Sequence, residues 1–213
     1  MYRVAVTLVI SVALATSAHA ETCEEEAVAL RSHLETEAGR AWRWNYIWAA
    51  LFGAAAVGQL AFAVAETDPL GGEFDQDTKE TLYVGASKAT IGVAARVILP
   101  LRIPVPAATG DLCSQVPALR EALAEAGRRE RRSFWLTHLG GTALNLAGAA
   151  ILTYRRSLRV GAISFAISYP VGPASAYTQP RRSWRQWRDR RASWVVGASG
   201  SGEGASLWLG GEW

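Results

Sequence analysis

The feature that most constrains this chain is a run of 22 residues, Trp44–Ala65, without a single charged side chain. A helix of about this length crosses the hydrocarbon core of a bilayer, which is about 30 Å thick. Three more apolar stretches follow, interrupted by a few polar residues or prolines: Tyr83–Leu101, Phe134–Tyr154 and Val160–Thr178. The pattern predicts four apolar helices.

The chain also contains an internal repeat. Each of its two cysteines is followed by Ala-Leu-Arg, then by Glu-Ala-Gly-Arg, then by an apolar stretch that carries tryptophan. Val-Gly-Ala at 84–86 recurs at 160–162, and Pro104 recurs as Pro180 at the same offset. Repeated order and spacing are the sequence signature of a duplicated structural unit.

These observations predict an all-α fold with four apolar helices arranged as two duplicated helical hairpins. Each hairpin is preceded by an amphipathic entry helix, at Glu24–Arg43 and at Val116–Arg132. The first repeat covers 21–106, the second covers 107–180, and an Arg/Trp-rich tail covers 181–213. Two short β-prone runs around the glycine-rich segment 199–204 predict a small β-hairpin in that tail.

Residues 1–20 have the three parts of a secretory signal peptide. Arg3 provides the positive charge, Val4–Thr16 is apolar, and Ala18-His19-Ala20 is a small-residue cleavage site. We therefore expect a cell-envelope location after cleavage, either in the inner membrane with periplasmic termini or in the periplasm. An uncleaved anchor helix is the alternative.

Cys23 and Cys113 are the only cysteines in the chain. In an oxidising compartment an isolated pair favours a disulfide, with two unbridged thiols as the alternative. Neither His33 nor His138 stands at metal-ligand spacing from a cysteine, so no metal site or cofactor is predicted. The acidic stretch from Glu66 to Asp77 lacks the spacing of an EF-hand and is interpreted as a solvated turn rather than a Ca²⁺ site.

The tail mixes tryptophan with arginine, a composition typical of the membrane–water interface. Membrane lipid is the expected partner, and export argues against nucleic acid. The candidate lipid contacts are Arg181, Arg182, Trp184, Trp187, Arg188, Arg190 and Arg191.

The charge distribution leaves a soluble fold open. If all four apolar stretches crossed the bilayer, the cytoplasmic segments would hold four Lys or Arg residues and the opposite side fifteen. This distribution opposes the positive-inside tendency. A soluble or peripheral periplasmic helical bundle that binds a lipid or a protein is therefore the alternative to a membrane-embedded one.

No catalytic signature is present, so we do not expect an enzyme. The predicted function is that of a multi-helix integral membrane protein of the cell envelope with a structural or accessory role. A small channel or transporter built from the duplicated hairpins is a weaker hypothesis. Its test residues are the polar groups within the apolar stretches: Lys88, Arg96, His138 and Asn145.

The segment Gly161-Ala-Ile-Ser-Phe-Ala-Ile-Ser-Tyr-Pro-Val-Gly172, followed by Tyr177-Thr-Gln-Pro180, resembles exported proteins predicted in myxobacteria. The likeness covers about the second half of the chain. It implies a Gram-negative envelope setting, and it implies no activity and no site residues.

Overall fold

The first long helix, α1 (Cys23–Val64), begins at a capping box in which Thr22 and Glu25 bond each other's backbone N–H groups.

The computed structural model describes the backbone of residues 22–65, 72, 74–191, 194–201 and 204–211, and the side chains of 22–65, 72 and 74–188. The predicted signal peptide at 1–20 lies outside the described residues.

Helix α2 (Gln76–Ile98) starts at the N-cap residue Asp75 and runs back along α1. The antiparallel direction follows from two contacts. Gly85 faces the side chain of Gln59, and Gly92, seven residues later in α2, faces Phe52, seven residues earlier in α1. Helices α1 and α2 therefore form one helical hairpin.

The second half of the chain contains another long helix and a return arm that is broken into short helices. Helix α3 (Leu112–Arg155) is followed by α4 (Leu158–Ser168), α5 (Val171–Tyr177) and α6 (Arg182–Arg191). All three short helices pack against α3, progressively nearer to its beginning.

A disulfide joins Cys23 to Cys113, with 5.1 Å between their Cα atoms, as predicted from the sequence. Both cysteines lie in the first turn of a long helix, so α1 and α3 begin at the same end of the molecule and run parallel. An ion pair between Arg120 and Glu26, 2.7 Å from nitrogen to oxygen, supports the same alignment one to two turns further on.

The two ends of the fold differ in how large their buried apolar side chains are. We call residues 22–43, 101–133 and 179–188 the stalk, and residues 44–64, 76–98, 134–155 and 158–177 the bundle. The main core cluster lies in the stalk and at its border with the bundle, and it is apolar: Ala27, Leu30, Leu34, Ala41, Trp44, Leu101, Ile103, Val116, Leu119, Ala122, Leu123 and Ala126.

In the bundle, most buried residues are small or polar, and large apolar side chains face outward. The buried set includes Ala86, Ala89, Asn145, Gly148 and Ser164. The exposed set includes Tyr46, Ile47, Leu51, Val57, Leu60, Val64, Ile91, Val97, Ile98, Leu136, Leu139, Leu146, Ile151, Ile163 and Ile167.

The predicted helix boundaries were wrong in two respects. The entry segments are not separate helices, because no proline or turn signal stands between them and the apolar segments, and α1 and α3 continue through both. The fourth apolar stretch is two helices rather than one, because proline at position 170 lacks the N–H that a continuous helix needs there.

The predicted fold class was also wrong in adding a C-terminal β-hairpin to the helical fold. The part of the chain with described side chains is helical and contains no strand, so the packed fold is all-α. Beyond it, the backbone segments β1 (Trp194–Ser201) and β2 (Gly204–Gly211) lie antiparallel to each other. A two-stranded ribbon is marginally stable by itself, so glycine-rich β-prone runs do not make it a structural unit of the fold.

Candidate functional site

Lys88 lies in the interior of the bundle and joins its two hairpins. Its Nζ donates hydrogen bonds to Asn145 Oδ1 at 3.2 Å and to Ser168 Oγ at 2.9 Å. Asn145 Nδ2 in turn donates to the carbonyl oxygen of Ser168 at 3.3 Å. The ammonium of α2 is thus held by neutral oxygens from α3 and α4.

Gly148 on α3 makes room for the lysine side chain. A Cβ atom at this position would lie 2.9 Å from Lys88 Cδ and 3.1 Å from Val84 Cγ1. We expect Gly148→Val to displace Lys88 and to lower the free energy of unfolding by about 1–3 kcal/mol. The measurement is thermal unfolding of the purified protein.

The matched control for this substitution is Gly140→Val. Gly140 lies earlier on the same helix, α3, and an added Cβ there meets no atom within 4 Å. Equal melting temperatures for the two valine variants would contradict the packing role assigned to Gly148.

Arg96 forms a second polar cluster, two helical turns beyond Lys88 on α2 and close to the stalk. Its guanidinium donates to Thr137 Oγ1 at 3.3 and 3.4 Å and to Ser175 Oγ at 2.9 Å. The ring of Trp44 lies 4.1 Å from Cζ, and Trp44 Nε1 donates to the Ser175 carbonyl at 3.1 Å. We call Trp44, Arg96, Thr137 and Ser175 the arginine cluster.

The four polar residues singled out in the sequence do not form one site. The structure brings Lys88 and Asn145 together but places Arg96 in the separate arginine cluster. His138 packs among aromatic rings that include Phe134 and Tyr177, and its buried Nδ1 has no hydrogen-bond partner. Nothing in the sequence singled out Thr137, Ser168 or Ser175, because isolated hydroxyls are common on apolar helices.

A third polar cluster lies in the stalk and attaches α6 to α3. Glu130 is fully buried, and its Oε2 accepts a hydrogen bond from the Trp184 N–H at 2.7 Å, in the first turn of α6. Gln179, just before α6, donates to the Glu130 carbonyl at 2.7 Å and accepts a bond from Ser133 Oγ at 3.0 Å. These bonds fix the position at which α6 begins.

Burial raises the pKa of the Glu130 carboxyl to about 7, although the hydrogen bonds from Trp184 and Ser183 oppose this effect. The nearby Glu37 carboxylate raises the Glu130 pKa further. Glu130 Oε1 and Glu37 Oε2 are both buried without a hydrogen-bond partner. The attachment of α6 therefore rests on an acid that titrates near neutral pH.

The predicted lipid-contact residues divide between packing and exposed positions. Trp184 packs on Phe134, with ring centroids 5.8 Å apart, and Trp187 packs against Gly127 of α3. Arg181 lies over the Phe134 ring, with Cζ 5.2 Å from its centroid. Arg182 and Arg188 are exposed. The side chains of Arg190 and Arg191 lie outside the described residues.

At the end of the bundle away from the stalk, α2 and α4 diverge and leave a groove of about 260 Å³. It is lined by Asp77, Thr78, Thr81, Leu82, Val160, Ile163, Ser164 and Ile167. Asp77 pairs with Arg156, 3.4 Å from oxygen to nitrogen, and Asp75 caps α2. Within the described part of the chain, no group of three or more His, Cys, Asp or Glu residues could hold a metal ion.

Of the described helices, α1 alone meets the length and hydropathy requirements for a membrane span, and only 6% of its most apolar 18-residue window is buried.

Comparison of the chain with protein-family models, with curated proteins and with solved structures finds no match.

Proposed function

We propose that this chain is a small integral membrane protein of the cell envelope with a structural or accessory role. In this proposal the bundle lies in the bilayer, and the disulfide-linked stalk lies on the oxidising side. The observation that carries the proposal is the inverted polarity of the bundle. A water-soluble domain places its large apolar side chains inside, whereas this bundle exposes most of them, and apart from Trp44, Phe134 and Leu152 it buries small and polar residues.

The dimensions of the bundle support the same proposal. From Trp44 to Val64, α1 contributes 21 residues to the bundle. At 1.5 Å per residue this segment is about 31 Å long, close to the thickness of a hydrocarbon core. The segment Phe134–Tyr154 of α3 has the same length and also lacks fully charged side chains.

Aromatic and basic residues at the border between bundle and stalk fit the head-group region of a membrane. Trp42, Trp135 and Tyr177 are exposed there, and exposed arginines follow on the stalk side. Aromatic rings favour this interface, and arginines attract anionic lipids at about 1 kcal/mol each. The exposed arginines include Arg43, Arg102, Arg128, Arg129, Arg131, Arg132, Arg182, Arg185 and Arg188.

Membrane fractionation tests the proposal. We expect the full chain, expressed in a Gram-negative host, to remain in the membrane pellet after alkaline carbonate and after 1 M salt, and to be released by mild detergent. A long helix that is anchored through about 21 apolar residues does not depend on ionic contacts. We therefore expect salt to release none of the protein from the membrane. Recovery in osmotic-shock fluid would replace the proposal with the soluble-bundle alternative.

A variant in which Arg182, Arg185 and Arg188 are replaced by glutamine separates insertion from surface attachment. We expect it to stay in the carbonate-resistant pellet, because insertion of the apolar bundle does not depend on these arginines. Release of this variant by salt, with retention of the unmodified chain, would indicate peripheral attachment through α6 instead.

A further inference from the structure

Two of the positive charges in the bundle, Lys88 and Arg96, lie away from its ends and have no counter-charge beside them. Apart from Glu80 and Asp77 at the end away from the stalk, the bundle segments contain no Asp or Glu, and none occurs in 38–65, 81–110 or 131–188. Neither Lys88 nor Arg96 forms an ion pair within the described part of the chain. A buried charge is costly unless it is paired.

The arginine cluster also has more hydrogen-bond donors than acceptors. Arg96 Nε is buried and has no hydrogen-bond partner. Thr137 Oγ1 and Ser175 Oγ both accept from the guanidinium, so the proton of each hydroxyl is left for a further acceptor. Among the described residues neither hydroxyl has such an acceptor. Three donor groups therefore meet at one place with no anion to receive them.

The packing of the cluster fixes this arrangement in advance. Trp44 covers one face of the guanidinium, and its own indole N–H is bonded to the Ser175 backbone. The four members come from α1, α2, α3 and α5, so both hairpins hold Arg96 in place. Arg96 as a whole residue is half-buried, whereas its unbonded Nε atom is buried.

We propose that the arginine cluster binds a phosphate group, either the head-group phosphate of a phospholipid or free inorganic phosphate. A planar guanidinium beside hydroxyl donors matches the geometry of phosphate oxygens. The cluster lies where the bundle meets the stalk, which is the level of the head groups if the bundle is membrane-embedded. The lipid source thus rests on the proposed function, whereas the free-phosphate source does not.

The test is thermal unfolding of the purified full chain during titration with three probes. These are phosphatidylglycerol in mixed micelles, diacylglycerol with the same acyl chains and no phosphate, and sodium phosphate against sodium chloride at equal ionic strength. We expect phosphatidylglycerol to raise the melting temperature and diacylglycerol to leave it unchanged. A rise with inorganic phosphate of the same size identifies free phosphate as the ligand.

Three variants assign the effect to the cluster. Arg96→Gln is expected to weaken the apparent affinity about 10- to 100-fold, the loss of one charge-assisted contact. The double variant Thr137→Val, Ser175→Ala keeps the charge and removes the hydroxyl donors, so it is expected to weaken binding as well, even if Arg96→Gln proves unstable. Arg102→Gln, an exposed arginine on the stalk, is the matched control and is expected to bind as the unmodified chain does.

A stabilisation that is equal in the unmodified chain and in the cluster variants would overturn the proposal. So would the lack of any response to both phosphate probes. If fractionation shows a soluble protein, the titration with inorganic phosphate is carried out without detergent, so a failure of membrane insertion and a failure of phosphate binding give different results.

Discussion

Replacing Cys23 and Cys113 together with serine is expected to lower the free energy of unfolding by about 4 kcal/mol, the largest effect we predict for a change at two side chains. The disulfide joins residues 90 positions apart. Without it, the unfolded chain gains the conformational freedom of that whole loop, while the folded chain keeps the stalk core. The measurement is urea-induced unfolding in mild detergent, followed by tryptophan fluorescence.

Reduction provides the control for the serine variant. Dithiothreitol is expected to shift the unfolding midpoint of the unmodified chain to that of the double variant and to leave the double variant unchanged. Two free thiols in the purified chain under non-reducing mass spectrometry, or a midpoint insensitive to reductant, would contradict the role of this bridge.

The second large effect is expected at Glu130, where stability should depend on pH. The pKa of this carboxyl is about 7 in the folded chain and lies near the ordinary value of 4.5 when the chain unfolds. Between these values the folded chain holds a proton that the unfolded chain releases. The free energy of unfolding should therefore fall by about 3 kcal/mol as the pH rises from 4.5 to 7, and stay level above that range.

Glu130→Gln is expected to remove this dependence. The amide oxygen of glutamine still accepts the Trp184 N–H and carries no charge, so above pH 7 the variant should be more stable than the unmodified chain. Below about pH 5 the two should unfold alike. Melting temperatures across pH 4–8 measure the difference.

Glu125→Gln is the control, on the same helix but at a partly exposed site. Ion pairs with Arg128 and Arg129 lower the pKa of Glu125, so its contribution is lost on acidification rather than gained. If Glu130→Gln retained the fall in stability between pH 4.5 and 7, another group would be responsible for it.

Much of the helical architecture was readable from the sequence. The helical character of the apolar segments and the disulfide follow from runs of uncharged residues and from the presence of one cysteine pair, which are local properties of the chain. Helix ends were less accessible. Nothing near Arg43 or Arg132 interrupts helix propensity, so the change from amphipathic to apolar composition marked a change of surroundings and not a helix boundary.

The candidate sites were only partly predictable. Lys88, Arg96 and Asn145 stood out because polar groups are rare in apolar stretches. The hydroxyl groups that accept hydrogen bonds from Lys88 and Arg96 did not stand out. Thr137 and Ser175 are ordinary residues until α3 and α5 place them beside the guanidinium. Glu130 was one acid within a basic cluster until the return arm buried it under α6.

The sequence by itself determined that the apolar segments of this chain are helical and that its two cysteines are linked, because helix propensity, hydropathy and cysteine number need no knowledge of neighbours. Only the tertiary structure decided which polar groups meet. Whether a charge is compensated, or an N–H has an acceptor, depends on residues brought together from distant positions, and burial then sets how much each unpaired group costs.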